Sequence, residues 1–229
     1  MTDPNHPSIY DRPWAAREAW VVGGVALAVL IASSLVARTG EVPGWEQAMF
    51  HAVNGLPDFL RAPMWVFQLA GLLAVPGIVA LGALIRRKWR LAAALVLLMP
   101  VKLVVEKLVV KQLVERQRPG TSICNGDATC GHFRGVPMDG LSYVSGHAVI
   151  SWGVAALLWP YLRGRWRWVP VAIAVLNSVA RVYLGAHNPL DVVGGGALGA
   201  LLGLVLGLIV GVPVARTRWL TGDRVSPAA

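Results

Sequence analysis

The sequence predicts an all-α fold, an integral membrane bundle of six helices with its active site at the outer membrane face. Three observations point there. Hydrophobic residues make up 55% of the 229 and charged residues only 14%, too little polar surface for a soluble domain of this size. Six apolar runs bounded by charges lie near 19 to 37, 64 to 85, 91 to 110, 146 to 162, 168 to 184 and 190 to 214, each near the length of about 20 residues that a membrane span requires. The formal charge of +9 is gathered in arginine clusters, as in cytoplasmic anchors that face anionic lipid. Membrane lipids are therefore the expected surroundings, and no nucleic acid is expected as a partner.

The run 19 to 37 follows a polar stretch with Arg12 and Arg17 and has no small-residue cleavage site, so it reads as a retained helix and not a signal peptide. Segment 40 to 62 mixes Trp45, Met49, Phe50, Val53, Leu56 and Phe59 with Glu41, Glu46 and His51. It reads either as a short amphipathic helix on the outer surface or as a packed connector. The run 64 to 85 reads as one span. The run 91 to 110 contains Pro100, Lys102, Glu106 and Lys107, and a charge at mid-bilayer costs at least about 2.5 kcal/mol on insertion scales. Lys102 and Lys107 are expected to snorkel to the outer interface, and Glu106 to pair with Lys102.

Topology requires that third run. With all six inserted, the clusters Arg86 to Arg90, Arg163 to Arg167 and Arg216 to Arg218 face one side, with Trp89, Trp166, Trp168 and Trp219 as interfacial anchors. The positive-inside rule then predicts a multi-pass cell-membrane protein with both termini cytoplasmic. Its division is a cytoplasmic segment 1 to 18, a six-span domain 19 to 214 and a cytoplasmic tail 215 to 229. In the last run, Gly199, Gly203, Gly207 and Gly211 stand four apart, a spacing that permits close helix approach.

The antiparallel pair 146 to 162 and 168 to 184 returns Arg181 and His187 to the level of Ser145 and His147. Lys111, Glu115, Arg116 and Arg118 follow the outward end of the third run and can join them. Ser145-Gly146-His147 before an apolar run makes Ser145 a candidate N-cap, with Gly146 letting a ligand approach the backbone. Exposed N–H groups there suit an anion, and Lys111, Arg118 and Arg181 add positive charge matched to phosphate oxygens. Asn188-Pro189 reads as a helix start. Asp191, four residues after His187, can hold its imidazole in one tautomer. Two histidines at one anion site can divide phosphoryl transfer, one attacking phosphorus and the other protonating the leaving alkoxide. No carboxylate cluster suits a metal centre, so neither metal nor other cofactor is expected.

The strings Lys111-X6-Arg118-Pro119, Ser145-Gly146-His147 and Arg181-X5-His187-X3-Asp191 resemble, in order and spacing, the three signature motifs of the type 2 phosphatidic acid phosphatase superfamily. The resemblance covers about residues 111 to 191. It implies that His187 is the nucleophile forming a phosphohistidine, Asp191 its orienting partner and His147 the acid for the leaving group. It also implies that Lys111, Arg118, Ser145, Gly146 and Arg181 bind phosphate. Two positions depart from the family pattern. Val144 stands where proline usually precedes Ser-Gly-His, and Ala180 where serine usually precedes the arginine, removing one potential hydrogen bond worth about 1.5 to 3 kcal/mol if made to a charge.

The expected function is then hydrolysis of a lipid phosphate or diphosphate, the substrate being an isoprenoid carrier, phosphatidic acid or phosphatidylglycerol phosphate. The alternative is a non-catalytic lipid-phosphate binding or flippase protein using the same basic site. His187 and Asp191 speak against it, because binding an anion needs neither a nucleophile nor its orienting carboxylate. Segment 119 to 144 is long for a connection and suggests a lid. Within it Cys124 and Cys130 are expected to form a disulfide, since the segment is placed outside. Arg116 and Arg134 read as solvated loop charges, with a headgroup contact as the alternative. Seventeen arginines against four lysines suggest a GC-rich bacterial source. Oligomeric state is not legible.

Overall fold

The structure is a computed structural model that describes residues 16–211. Arg12, Arg216, Arg218, Trp219, the side chain of Arg17 and the tail 215 to 229 lie outside the described residues. Within them each of the six apolar runs is helical. The helices are α1 (Ala16–Ala37), α2 (Gly44–Asn54), α3 (Arg61–Leu69), α4 (Ala74–Ile85), α5 (Trp89–Leu103), α6 (Lys111–Val114), α7 (Pro119–Ser122), α8 (Gly146–Leu158), α9 (Trp168–Tyr183) and α10 (Pro189–Ile209).

By length and composition α1 and α10 are each able to cross a membrane, and the bent pair α3–α4 makes a third such stretch. Trp20, Val25, Ile31 and Leu35 on α1 are all exposed, which lipid accommodates and water would not. Polar bonds also tie α1 to the bundle: the hydroxyls of Ser33 and Ser34 lie 2.8 and 2.9 Å from that of Tyr143. The core joins Leu91, Leu95 and Leu98 of α5 to Ile150, Val154 and Leu157 of α8 and Leu206 of α10. Helices α8 and α10 touch backbone to backbone. A Cβ on Gly199 would strike the Val149 carbonyl and lie 3.0 Å from the Gly153 nitrogen, so the small-residue spacing is used for packing.

Three of the runs in particular are not continuous α-helices over their whole length. The run 64 to 85 is not one helix: it breaks between α3 and α4 with a bend of 58°. Asn177 of α9 donates to the carbonyls of Phe67 and Gln68, which also accept from the N–H groups of Ala70 and Gly71, and Gly71 packs on the backbone of His147 with no room for a Cβ. The run 91 to 110 passes from α5 into a π-helical turn, Val104–Val110, before α6. The last run stops at Ile209, because Gly211 adopts a left-handed φ of 67°, a common helix-ending geometry. Gly211 therefore lies beyond the helical stripe.

The two ends of the bundle differ in kind. At one end Arg90 donates to the Gly211 carbonyl at 3.1 Å, the Arg167 guanidinium stands 5.2 Å from the Trp159 ring centre, and Trp89, Trp166 and Trp168 are exposed. At the other lie α2, the connection 115 to 145 and the turn 184 to 188. Helix α2 is amphipathic, but its inward stripe is Glu46, Phe50 and Asn54, all buried, while Trp45 and Met49 stay exposed. A carboxylate and an amide on the buried face make it a packed element of this end.

Candidate active site

Helices α8, α9 and α10 place their polar ends together, with α6 beside them. Ser145 occupies the N-cap position of α8, yet its side chain makes no capping bond, and its hydroxyl is buried without a hydrogen-bond partner. Its backbone N–H donates to the carbonyl of Asp191 at 2.9 Å, which locks the start of α8 to the first turn of α10. That turn follows the sequence reading. Asn188 and Asp191 form a capping box with Pro189 at the first helical position, so the residue before Asn188 is held outside the helix.

That residue is His187, which is buried, with its Nδ1 3.5 Å from Oδ2 of Asp191. The same carboxylate oxygen accepts from the Asn188 N–H at 2.8 Å. Burial, aided by the positive charges of Arg181, Arg118 and Lys111, holds the His187 imidazole well below its usual pKa of 6.5. The ring is thus neutral at physiological pH. His147, at the first turn of α8, lies within electrostatic reach of Arg181, His187, Lys102 and Arg118.

The cations are held by fixed partners. Arg118 donates to the Ala186 carbonyl at 2.8 Å, Lys111 to that of Leu141 at 3.3 Å, and Arg181 to the amide oxygen of Gln68. The Nε of Arg181 is buried with no partner. Ala180, one of the two departures from the family pattern, is fully buried. Every proposed site residue, Lys111, Arg118, Ser145, Gly146, His147, Arg181, His187 and Asp191, is therefore brought to this end of the bundle.

Several neighbours were not anticipated. Lys102 does not snorkel, since it is buried, but its expected pair with Glu106 is present, and the other Glu106 oxygen lies 3.2 Å from Lys111. This cluster sits against Gly146, where a Cβ would come within 2.6 Å of the Glu106 carboxylate. The π-helical turn shifts register here, a feature often found at functional sites. Arg116 and Arg134 are buried, not solvated. Arg116 is bonded to Glu46 and Asp191. Arg134 donates to Asp58 and to the carbonyls of Asn54, Leu56 and Tyr183, with its guanidinium 4.0 Å from the Tyr183 ring centre. Asn54 also exchanges bonds with the backbone of His132. The segment 119 to 144 is thus clasped at its middle to α2 and the end of α9, and Cys124 and Cys130 within it are disulfide-bonded. Gln68 and Asn177 carried one available signal, an amide inside an otherwise apolar run.

A helical bundle with apolar outward faces and a buried polar site at one end defines a class of membrane protein. Residues 72–213 match the PAP2 superfamily, and the chain belongs to that family. It is 48% identical over 61 residues to an undecaprenyl-diphosphatase of Sulfolobus acidocaldarius, a match covering 26% of this chain and only 29% of that protein. Its fold resembles the crystal structure of a transmembrane PAP2 type phosphatidylglycerolphosphate phosphatase from Bacillus subtilis, with a TM-score of 0.61 and 22% identity over 80% of this chain and 94% of that one.

Proposed function

We propose that the protein is an integral membrane phosphatase that removes a terminal phosphate from a lipid phosphate or diphosphate, with six spans, cytoplasmic termini and its site at the outer face. The observation that carries this reading is the buried, neutral His187 backed by Asp191. With Nδ1 3.5 Å from the Asp191 carboxylate, this reading gives Nε2 to the substrate. Its lone pair attacks the terminal phosphorus, the bond from that phosphorus to the leaving oxygen breaks (the lipid alkoxide of a monophosphate, the bridging oxygen of a diphosphate), and His147 gives that oxygen a proton. Water then attacks the phosphohistidine, His147 takes its proton, and the P–N bond breaks to release phosphate and neutral His187. Lys111, Arg118, Arg181, Ser145 and the N-terminus of α8 stabilise the equatorial oxygens. The route assigns no step to a metal.

The two named relatives act on different lipids, an isoprenoid diphosphate in one and phosphatidylglycerolphosphate in the other, and both classes fit a site of this charge. Phosphate release by purified protein from both, with phosphatidic acid, in the presence of EDTA tests the reading. Acid-labile labelling of the wild type but not of His187→Ala by a ³²P-labelled substrate is the expected companion result. Binding without turnover of any of them would favour the non-catalytic alternative. Orientation is tested by cysteine reporters: one at Asp139 should react with an impermeant reagent applied outside, and one at Gly164 should not. The arginine turns Arg86 to Arg90 and Arg163 to Arg167 support that direction.

A further inference from the structure

Behind Asp191, on the side away from His187, the carboxylate Oδ1 lies 3.4 Å from Nη1 of Arg116. Arg116 is only 1% exposed, and Asp191 and Glu46 are both at 0%. The stronger partner of the guanidinium is Glu46 on α2, joined to it by two bonds of 3.0 and 2.6 Å. The Oε1 atom of Glu46 also accepts from the N–H of Leu190 at 2.8 Å. Glu46 therefore binds both the arginine and the first turn of the helix that carries Asp191.

This arrangement has an electrostatic consequence. A buried arginine with Asp191 as its sole carboxylate partner would draw the carboxylate's charge away from the imidazole, and a bare positive charge behind Asp191 would oppose the phosphoimidazolium that forms on His187. The paired bonds to Glu46 compensate Arg116 first and leave it in a longer contact with Asp191. Resting on the phosphohistidine reading, we propose that Glu46 and Arg116 are positioning residues of the active site. Arg116 helps keep Asp191 ionised, while Glu46 offsets the rest of the arginine's charge and fixes the start of α10, so that the Asp191 carboxylate keeps its aim for His187. The outer helix α2 thereby becomes part of the catalytic machinery, although it contributes no group to the substrate.

The test uses the full-length protein in detergent micelles, with para-nitrophenyl phosphate and farnesyl diphosphate as probes, and kcat expressed per folded molecule. Glu46→Gln keeps the size of the side chain and an oxygen for the Leu190 N–H but loses the charge. It should lower kcat about 10- to 100-fold, the scale seen when outer-shell partners of an oriented histidine are removed, with KM within about twofold. Glu46→Asp should recover part of the loss. A merely structural Glu46 would lower the folded fraction and leave the kcat of folded molecules unchanged, and that result overturns the proposal. If Glu46→Gln does not fold, Arg116→Lys decides. It keeps the charge but loses the planar fork that makes two bonds to Glu46 while also reaching Asp191, so a kcat loss of at least about tenfold supports the proposal, and an unchanged kcat overturns it. His187→Ala runs in parallel. If it is inactive while Glu46→Gln is unaffected, only the positioning role fails; if it turns over normally, the phosphohistidine reading itself fails.

Discussion

The two ends of this bundle both carry arginines, yet they use them in opposite ways. At the turns Arg86 to Arg90 and Arg163 to Arg167 most of the cations are exposed and are interspersed with exposed tryptophans, an arrangement suited to a membrane interface. At the other end Arg116, Arg134 and Arg181 are buried and bonded to named oxygens. Each buried cation ties together segments distant in sequence, because leaving it unpaired would be costly. Charge counts distinguish the two sides of a membrane; burial and partners distinguish an anchor from a site.

The sharpest way to break this comparison is His187→Ala. It removes the proposed nucleophile from the turn before α10, and hydrolysis should fall by about 10⁴-fold or more, while size-exclusion behaviour in detergent stays that of the wild type. His147→Ala should depend on the leaving group. Lipid phosphates should lose about 10²- to 10⁴-fold, and activated aryl phosphates, which need little protonation, much less; equal losses would make His147 a structural histidine.

Loop closure comes next in size. Changing both Cys124 and Cys130 to Ser removes a short covalent ring whose loop-closure entropy amounts to about 2 kcal/mol. The segment stays clasped through Arg134 and Asn54, so turnover of a small soluble ester should change less than about twofold, with KM for a lipid substrate rising if the loop guides it. Complete loss on the small ester would place the loop within the catalytic machinery.

A pH profile sharpens the contrast further. Because burial and its cationic neighbours lower the His187 pKa well below 6.5, its neutral, nucleophilic form persists as pH falls through 6.5. The acid limb of kcat/KM assigned to His187 should therefore lie below that value. Arg181→Gln removes one of the charges that depress the pKa, so it should move the limb toward higher pH. At the opposite end, Arg165→Gln should leave kcat and KM within about twofold, as an exposed charge bound to no buried group predicts. A large kinetic effect there would erase the distinction between the two ends.

Much of the site was legible before any coordinates. The capping signature Asn188-Pro189-X-Asp191 announces the start of α10 and puts His187 just outside it, because proline and an acceptor side chain suit those positions for local reasons. The return of an antiparallel helix pair then brings Arg181 and His187 back to Ser145 and His147. The six apolar runs were legible too, since each is a local excess of apolar residues.

The sequence by itself determined the class of fold, the starts of α8 and α10 and the set of cations and histidines at one end, because these follow from composition, periodicity and short-range spacing. Only the tertiary structure decided which charges are buried. Glu46 and Arg116 are 70 residues apart, and nothing local distinguishes their bonded pair from two solvated loop charges. Lys102 looks like a snorkelling group, with Glu106 as its partner, until α8 packs Gly146 against both. The break between α3 and α4 is likewise held by bonds from α9, where Asn177 donates to the carbonyls of Phe67 and Gln68 and Arg181 meets the Gln68 side chain. The physical reason is common to all three: a buried polar group is stable only with a partner, and here that partner is distant in sequence and reached only once the helices have packed.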